Sequence, residues 1–298
     1  MAKILSLICA DHAPFLDEAC LRAAGAPLGR DDFCVLAPRL AVEWSIRPTD
    51  GAPGAVLGAL RAHFAGKPVD VNLIEADQRE KKLLVADMDS TMIEQECIDE
   101  LAAYAGKGSE IAAITDQAMR GNLDFDEALR ARVAMLAGLP LTAIEETIRN
   151  RLSYMPGGKT LITTMRRRGH YCALVSGGFD VFTGPVANHL GFNSHFGNQL
   201  LVREGHLTGA VQSPILGRPA KKMTLLRLAK ELNITPTQAL ALGDGANDLD
   251  MIAAAGFGVA FHAKPRTAEA AALRLDHASL TGVLFLQGIA KDDHHETG

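Results

Sequence analysis

The chain has 298 residues, 48% apolar and 22% charged, with a formal net charge of −5. This length and balance suit a globular chain with one larger and one smaller unit, and the mild negative charge excludes a broad nucleic-acid or anionic-membrane footprint. Five scattered cysteines, Cys9, Cys20, Cys34, Cys97 and Cys172, form no CxxC pair, which excludes a zinc knuckle or redox motif and points to reduced thiols in a cytoplasmic protein.

The apolar run Ile4–Ala10 follows Lys3 and leads straight into Asp11 and His12, so it reads as a strand, not a signal-peptide core. A helix is expected over Pro14–Ala24, with Phe15, Ala19 and Leu21 among its apolar positions. Phe33–Leu36 and Leu40–Ile46 read as strands, the second alternating Val42, Trp44 and Ile46 against Ala41, Glu43 and Ser45. A helix over Ala55–Phe64 and a strand over Val69–Ile74 complete the order β-α-β-β-α-β, that of a ferredoxin-like α+β fold. The order resembles that of ACT-type ligand-binding domains, which would make residues 1–76 a candidate amino-acid sensor; packing or dimerisation is the plainer role. The charged stretch Asp77–Lys82 then marks the boundary of a second domain, 77–298.

From Leu83 the pattern changes. Leu84–Ala86, Tyr171–Val175, Ala239–Leu242 and Phe257–Phe261 are short, continuously apolar strands separated by helices such as Lys159–Arg168, Lys221–Leu232 and Asp248–Ala255. Such strands are covered on both faces, which predicts an α/β, doubly wound, Rossmann-like parallel sheet. Between residues 92 and 155 only helical patterns occur, such as Phe125–Leu136, so a helical cap is expected over the C-terminal edge of the sheet, where ligands bind in such folds. Leu200–Ala210 reads as a hairpin turning at Glu204-Gly205, and the polar tail Lys291–Gly298 as frayed. The longest near-apolar run in this half, Met251 to Ala263, is too short for a membrane span.

Three strands end in reactive residues: Asp87-Met-Asp-Ser-Thr91, Ser176-Gly-Gly178 and Gly243-Asp-Gly-Ala-Asn-Asp248. Parallel strands bring these ends to one edge. Clustered carboxylates repel unless a cation holds them, and an all-oxygen set suits Mg²⁺. A Ser-Gly-Gly turn offers unobstructed N–H groups and a hydroxyl to phosphate oxygens. The combination predicts phosphoryl transfer. Taken singly, Asp89 reads as a helix cap and Asp244 and Asp248 as turn residues; recurrence at three strand ends reverses that reading. No Gly-x4-Gly-Lys-Ser/Thr loop, no cysteine followed six residues later by arginine, and no Arg-His-Gly signature is present.

These strings, with Lys221 between the second and third, resemble the four ordered motifs of the haloacid-dehalogenase-like phosphatases. The likeness covers roughly residues 81–286 and is closer still to the phosphoserine phosphatases within them, in Ser176-Gly-Gly-Phe-Asp180, Glu96-Cys-Ile-Asp-Glu100 and Ala263-Lys-Pro265. The resemblance implies Asp87 as nucleophile, Asp89 as general acid and base, and Mg²⁺ held by Asp87, the Asp89 backbone carbonyl and Asp244, with Asp248 beside them. It implies Ser176, Gly177 and Lys221 on the phosphate, with Asn247 steadying the loop. In the cap it implies Glu96 on a substrate ammonium, Arg132 on a carboxylate, and Met119 and Phe125 as apolar walls. The expected reaction is hydrolysis of a small-molecule substrate, O-phospho-L-serine, the last step of L-serine biosynthesis, by a homodimer. The rivals are a phosphatase or phosphotransferase for another small phosphomonoester, or an amino-acid sensor acting through the N-terminal unit.

Overall fold

Period-two alternation builds the first sheet. In the computed structural model, which describes residues 3–25, 32–47, 50–77, 79–119 and 123–295, strands β1 (Lys3–Cys9), β2 (Cys34–Ala37), β3 (Ala41–Ile46) and β4 (Val69–Glu75) pair antiparallel in the order β2-β3-β1-β4. One face, carrying Leu5, Leu7, Val42, Trp44, Val69 and Val71, buries against helices α1 (Glu18–Gly25) and α2 (Pro53–His63) through Leu21, Val56 and Leu60. This is the ferredoxin-like arrangement expected. Helix α1 starts later than Pro14 because Leu16 N–H is bonded to Arg39 O at 3.0 Å, and the Asp17 carboxylate then accepts Cys20 N–H at 2.9 Å, opening the helix beyond it.

The second half continues as β5 (Leu83–Ala86), the insert helices α3 (Cys97–Tyr104), α4 (Gly108–Met119), α5 (Phe125–Ala134) and α6 (Leu141–Asn150), then α7 (Gly158–Arg167), β6 (Tyr171–Phe179), α8 (Asp180–Leu190) and β7 (Ser194–Asn198). A hairpin of β8 (Leu200–Arg203) and β9 (His206–Val211) follows, turning through positive φ at Glu204 and Gly205 as expected. The chain closes with α9 (Arg218–Glu231), β10 (Ala239–Gly243), α10 (Leu249–Ala254), β11 (Phe257–Phe261), α11 (Pro265–Ala270), β12 (Leu273–Leu275) and α12 (Gly282–Leu286). Six strands form a parallel sheet, β12-β11-β10-β5-β6-β7. Successive residues of its central strands enter opposite cores. Leu84, Leu174 and Leu242 pack with α7 and α8, whereas Val85, Ala173 and Ala241 pack with α9 and α10. Continuous apolar strands follow from that double burial.

Two further expectations change. The Ser176–Gly178 stretch is not a free turn: β6 runs on to Phe179, with a register shift against β7 after Val175. The tail does not fray at Lys291, since Lys291–Asp293 makes a 3₁₀ turn and His295 N–H donates to Thr164 Oγ1 at 2.8 Å; residues 296–298 lie outside the described residues.

The two halves meet along β4 and β12. Buried Asp70 accepts the N–H groups of Asp276, His277 and Ala278 at 2.7, 3.2 and 2.9 Å. Asn72 exchanges two hydrogen bonds with the backbone of Arg274. Arg79, inside the charged stretch, pairs with Glu43 at 2.8 Å and also donates to Leu286 O, so this stretch is fastened to both halves. Among the described residues no helix is long and apolar enough to cross a membrane.

Candidate active site

The ends of β5, β6 and β10 converge as expected of a parallel sheet. Asp87 prolongs the ladder through its N–H to Leu242 O, 2.9 Å. Beneath it lies Lys221 of α9, fully buried, whose Nζ stands 2.6 Å from Asp87 Oδ2 and 2.6 Å from Asp248 Oδ1. Asp248 Oδ2 accepts Gly245 N–H at 3.0 Å, and Thr91 Oγ1 donates to Asp244 at 3.0 Å. Glycine is required at 243, where a Cβ would lie 2.4 Å from the Asp248 carboxyl carbon.

The charges of this cluster do not balance. Asp87, Asp244 and Asp248 each offer an oxygen within 4.8 Å of the other two, all three are buried, and one buried ammonium faces them. Burial first, then Asp248 and Asp244, push the Asp87 carboxyl well above the usual range against the pull of Lys221. Burial and Asp248 raise Asp244 likewise. Burial alone would weaken the Lys221 ammonium, but Asp248 and Asp87 outweigh it and hold its pKa above the ordinary lysine value. An all-oxygen donor set with surplus negative charge fits a hard divalent cation such as Mg²⁺.

Asp89 faces two ways. Its Oδ1 accepts the N–H of Cys97, the first residue of α3, at 3.0 Å, and its Oδ2 accepts the Ser176 hydroxyl at 3.1 Å. One side chain thus accepts both from the start of α3 and from the end of β6, tying cap to core. Glu96, just before α3, accepts from Ser90 Oγ at 3.1 Å. Burial, then Asp89 and Asp244, push its carboxyl up to about 7, with Lys264 opposing. Arg132 on α5 donates Nε–H to Ala128 O at 3.2 Å and forms no ion pair among the described residues. Burial lowers its pKa, partly offset by Asp99 and Glu96, though a guanidinium remains charged throughout.

A cleft of about 550 Å³ opens between cap and core. Of the residues singled out in the sequence, Asp87, Asp89, Glu96, Phe125, Arg132, Ser176, Gly177, Asp244 and Asn247 line it. Lys221 and Asp248 do not; they support Asp87 from below. Phe125 covers the glycines, and a Cβ on Gly177 or Gly217 would come within 3.1 or 3.0 Å of its ring. Met119 closes α4, and its side chain lies outside the described residues. Sequence reasoning gave no role to Lys264, which lines the cleft with Nζ 3.6 Å from Asp244 and 3.9 Å from Glu96, nor to Asp99. Lys264 stands in the quoted Ala263-Lys-Pro265 string, the one signal that marked it.

The haloacid dehalogenase-like hydrolase family matches residues 84–253. Phosphoserine phosphatase SerB2 of Mycobacterium tuberculosis is 43% identical over 258 residues, which make up 86% of this chain; the chain spans 63% of that protein's length, less than two thirds. A phosphoserine phosphatase of a Polaromonas species is 40% identical over 246 residues, 81% of this chain and 99% of its own. Among solved structures, a phospho-aspartyl intermediate analogue of phosphoserine phosphatase covers 69% of this chain and 98% of its own, at TM-score 0.64 and 39% identity. A parallel sheet carrying three of the motifs on its strand ends with Lys221 beneath them, and likeness over most of the chain to enzymes of one name, make this chain a member of the haloacid dehalogenase-like hydrolases and, within them, of the phosphoserine phosphatase family.

Proposed function

We propose that the protein is a Mg²⁺-dependent phosphatase that hydrolyses O-phospho-L-serine to L-serine and phosphate, the last step of L-serine biosynthesis. The observation that carries this reading is the unbalanced carboxylate cluster on Lys221, directly below a cleft whose cap side presents Glu96 and Arg132, which has no ion pair among the described residues. Arg132 suits the substrate carboxylate, Glu96 the ammonium, and the glycine-rich end of β6 the phosphate.

Asp87, Asp244 and Asp248, with the Asp89 backbone carbonyl, would hold the metal, which supplies positive charge against the phosphoryl oxygens. An Asp87 carboxylate oxygen attacks phosphorus, the bond from phosphorus to the serine oxygen breaks, and the Asp89 carboxyl gives its proton to that oxygen. The Asp89 carboxylate next takes a proton from water as the water oxygen attacks phosphorus and the bond from phosphorus to the Asp87 oxygen breaks. Phosphate leaves, and both aspartates return to their starting states. Lys221 holds the Asp87 carboxylate in place and, with Ser176, Gly177 and Asn247, orients the phosphate, and Phe125, with Met119, excludes water. We take residues 1–76 as a separate ACT-like domain, 77–298 as the phosphatase domain with its cap at about 92–155, and the working form as a homodimer.

The test is phosphate release from O-phospho-L-serine beside other phosphate esters, with Mg²⁺ and with EDTA. Release selective for phosphoserine, lost on chelation and restored by Mg²⁺, is expected. Equal rates across the panel would replace the substrate assignment with a general phosphomonoesterase, and absence of release would overturn the reading. Asp87→Asn is expected to fold and to form no covalent phosphate; a labelled intermediate in that variant would remove Asp87 from its role.

A further inference from the structure

The peptide group between Gly177 and Gly178 is held at both ends. Its N–H, on Gly178, donates to Ser176 Oγ at 2.8 Å, and the same hydroxyl donates to Asp89 Oδ2 at 3.1 Å. Its carbonyl, Gly177 O, accepts from Asn198 Nδ2 at 2.8 Å. Asn198 ends β7 and is 3% exposed, and it spends its remaining capacity on one residue: Nδ2 donates to Leu216 O at 3.2 Å and Oδ1 accepts Leu216 N–H at 2.7 Å. Leu216 lies at the foot of the β8–β9 hairpin, next to Gly217, on which Phe125 of the cap rests. A peptide rotates as a plane, so fixing its oxygen fixes its N–H, and through that N–H the Ser176 hydroxyl.

We propose that Asn198 is a positioning residue for this site. It orients the Gly177–Gly178 peptide, which in turn aims the Ser176 hydroxyl at Asp89 and sets the backbone that meets the phosphate. No other side chain among the described residues is hydrogen-bonded to Gly177 O. This inference rests on the phosphate role given to Ser176 and Gly177 above.

Full-length Asn198→Ala and Asn198→Asp are compared with the wild type and with Asn72→Ala, which removes a buried asparagine bonded to Arg274 backbone far from the cleft. The Asp variant keeps the acceptor for Leu216 N–H and loses the donor to Gly177 O; the Ala variant shows the loss without added charge. Three quantities are measured with Mg²⁺ present: inorganic phosphate affinity by calorimetry, kcat on O-phospho-L-serine, and melting temperature. Both Asn198 variants are expected to bind phosphate about tenfold more weakly and to lose about tenfold in kcat, the scale of one or two lost hydrogen bonds, while Asn72→Ala loses stability alone. If the Ala variant does not fold, the Asp variant decides. Unchanged phosphate affinity and kcat in the Asn198 variants, or equal losses in Asn72→Ala, would overturn the proposal. Phosphate binding without phosphoserine turnover in the wild type would count against the proposed substrate and leave the calorimetric comparison decisive for Asn198. A wild type that binds no phosphate would overturn both.

Discussion

Arg132 and Lys221 are both cations at this site, and their partners distinguish them. Lys221 is buried between Asp87 and Asp248, its Nζ 2.6 Å from an oxygen of each. Arg132 spends one N–H on Ala128 O and presents the rest of its fork to the cleft. Replacing it by alanine should therefore raise KM for O-phospho-L-serine by roughly 10–100-fold, the worth of a charge-assisted bidentate contact. Turnover of an aryl phosphate, which carries no carboxylate, should change little. Equal loss on both substrates would show that Arg132 holds the cap together. The sequence marked Arg132 only as the edge of an apolar stripe; the cap motif likeness gave it a role. Lys264 was less legible, because what gives it meaning are Glu96 and Asp244, distant in the chain and brought beside it only by the fold.

Helix α5 shows how an element turns local chemistry into site geometry. Asp124 caps it with a reciprocal pair: its Oδ1 accepts Glu127 N–H at 2.8 Å, and Glu127 Oε2 accepts Asp124 N–H at 3.2 Å. The first residue inside is Phe125, which roofs Gly177, and two turns on comes Arg132. Asp124→Ala should cost about 1 kcal/mol, lower the melting temperature by roughly 2 °C, and raise KM for phosphoserine a few-fold as the Phe125 turn frays; Asp124→Ser should restore both. A KM unchanged in the alanine variant would mean that the roof is held by packing alone. Elements with a clear period, such as this helix and the four central strands, were readable. Strands β7 and β12 were not: Ser-His-Phe-Gly-Asn has no apolar run, and Leu273–Leu275 is three residues long. Both are edge strands, where one missing neighbour removes the continuous burial that writes itself into sequence.

At the scale of the molecule, the seam between the halves combines an apolar patch, where Ile8, Leu36, Ala37, Ala41 and Ile74 join the core of the second half, with hydrogen bonds to backbone partners. Asp70 supplies the acceptor for three successive N–H groups at 276–278, and the same loop reaches the return leg of the cap, where Leu280 N–H bonds Pro156 O at 3.0 Å. None of this was visible in the sequence, where Asp70 is merely a charged residue at the start of a strand. Asp70→Ala would leave those N–H groups without their acceptor, a cost of roughly 1–3 kcal/mol for a buried unsatisfied group, and the loss falls on docking, not on either core. The chain carries its own reporter: Trp44, its single tryptophan, is buried in the N-terminal unit. In urea, tryptophan fluorescence and far-ultraviolet dichroism of the wild type should report one coincident transition. In Asp70→Ala the fluorescence transition should move to lower urea and precede the dichroic one, because the N-terminal unit then opens before the parallel sheet. Coincident transitions in the variant would mean that the apolar patch around Ile8 and Ile74, the Arg79–Glu43 pair and the Asn72–Arg274 bonds hold the seam without Asp70.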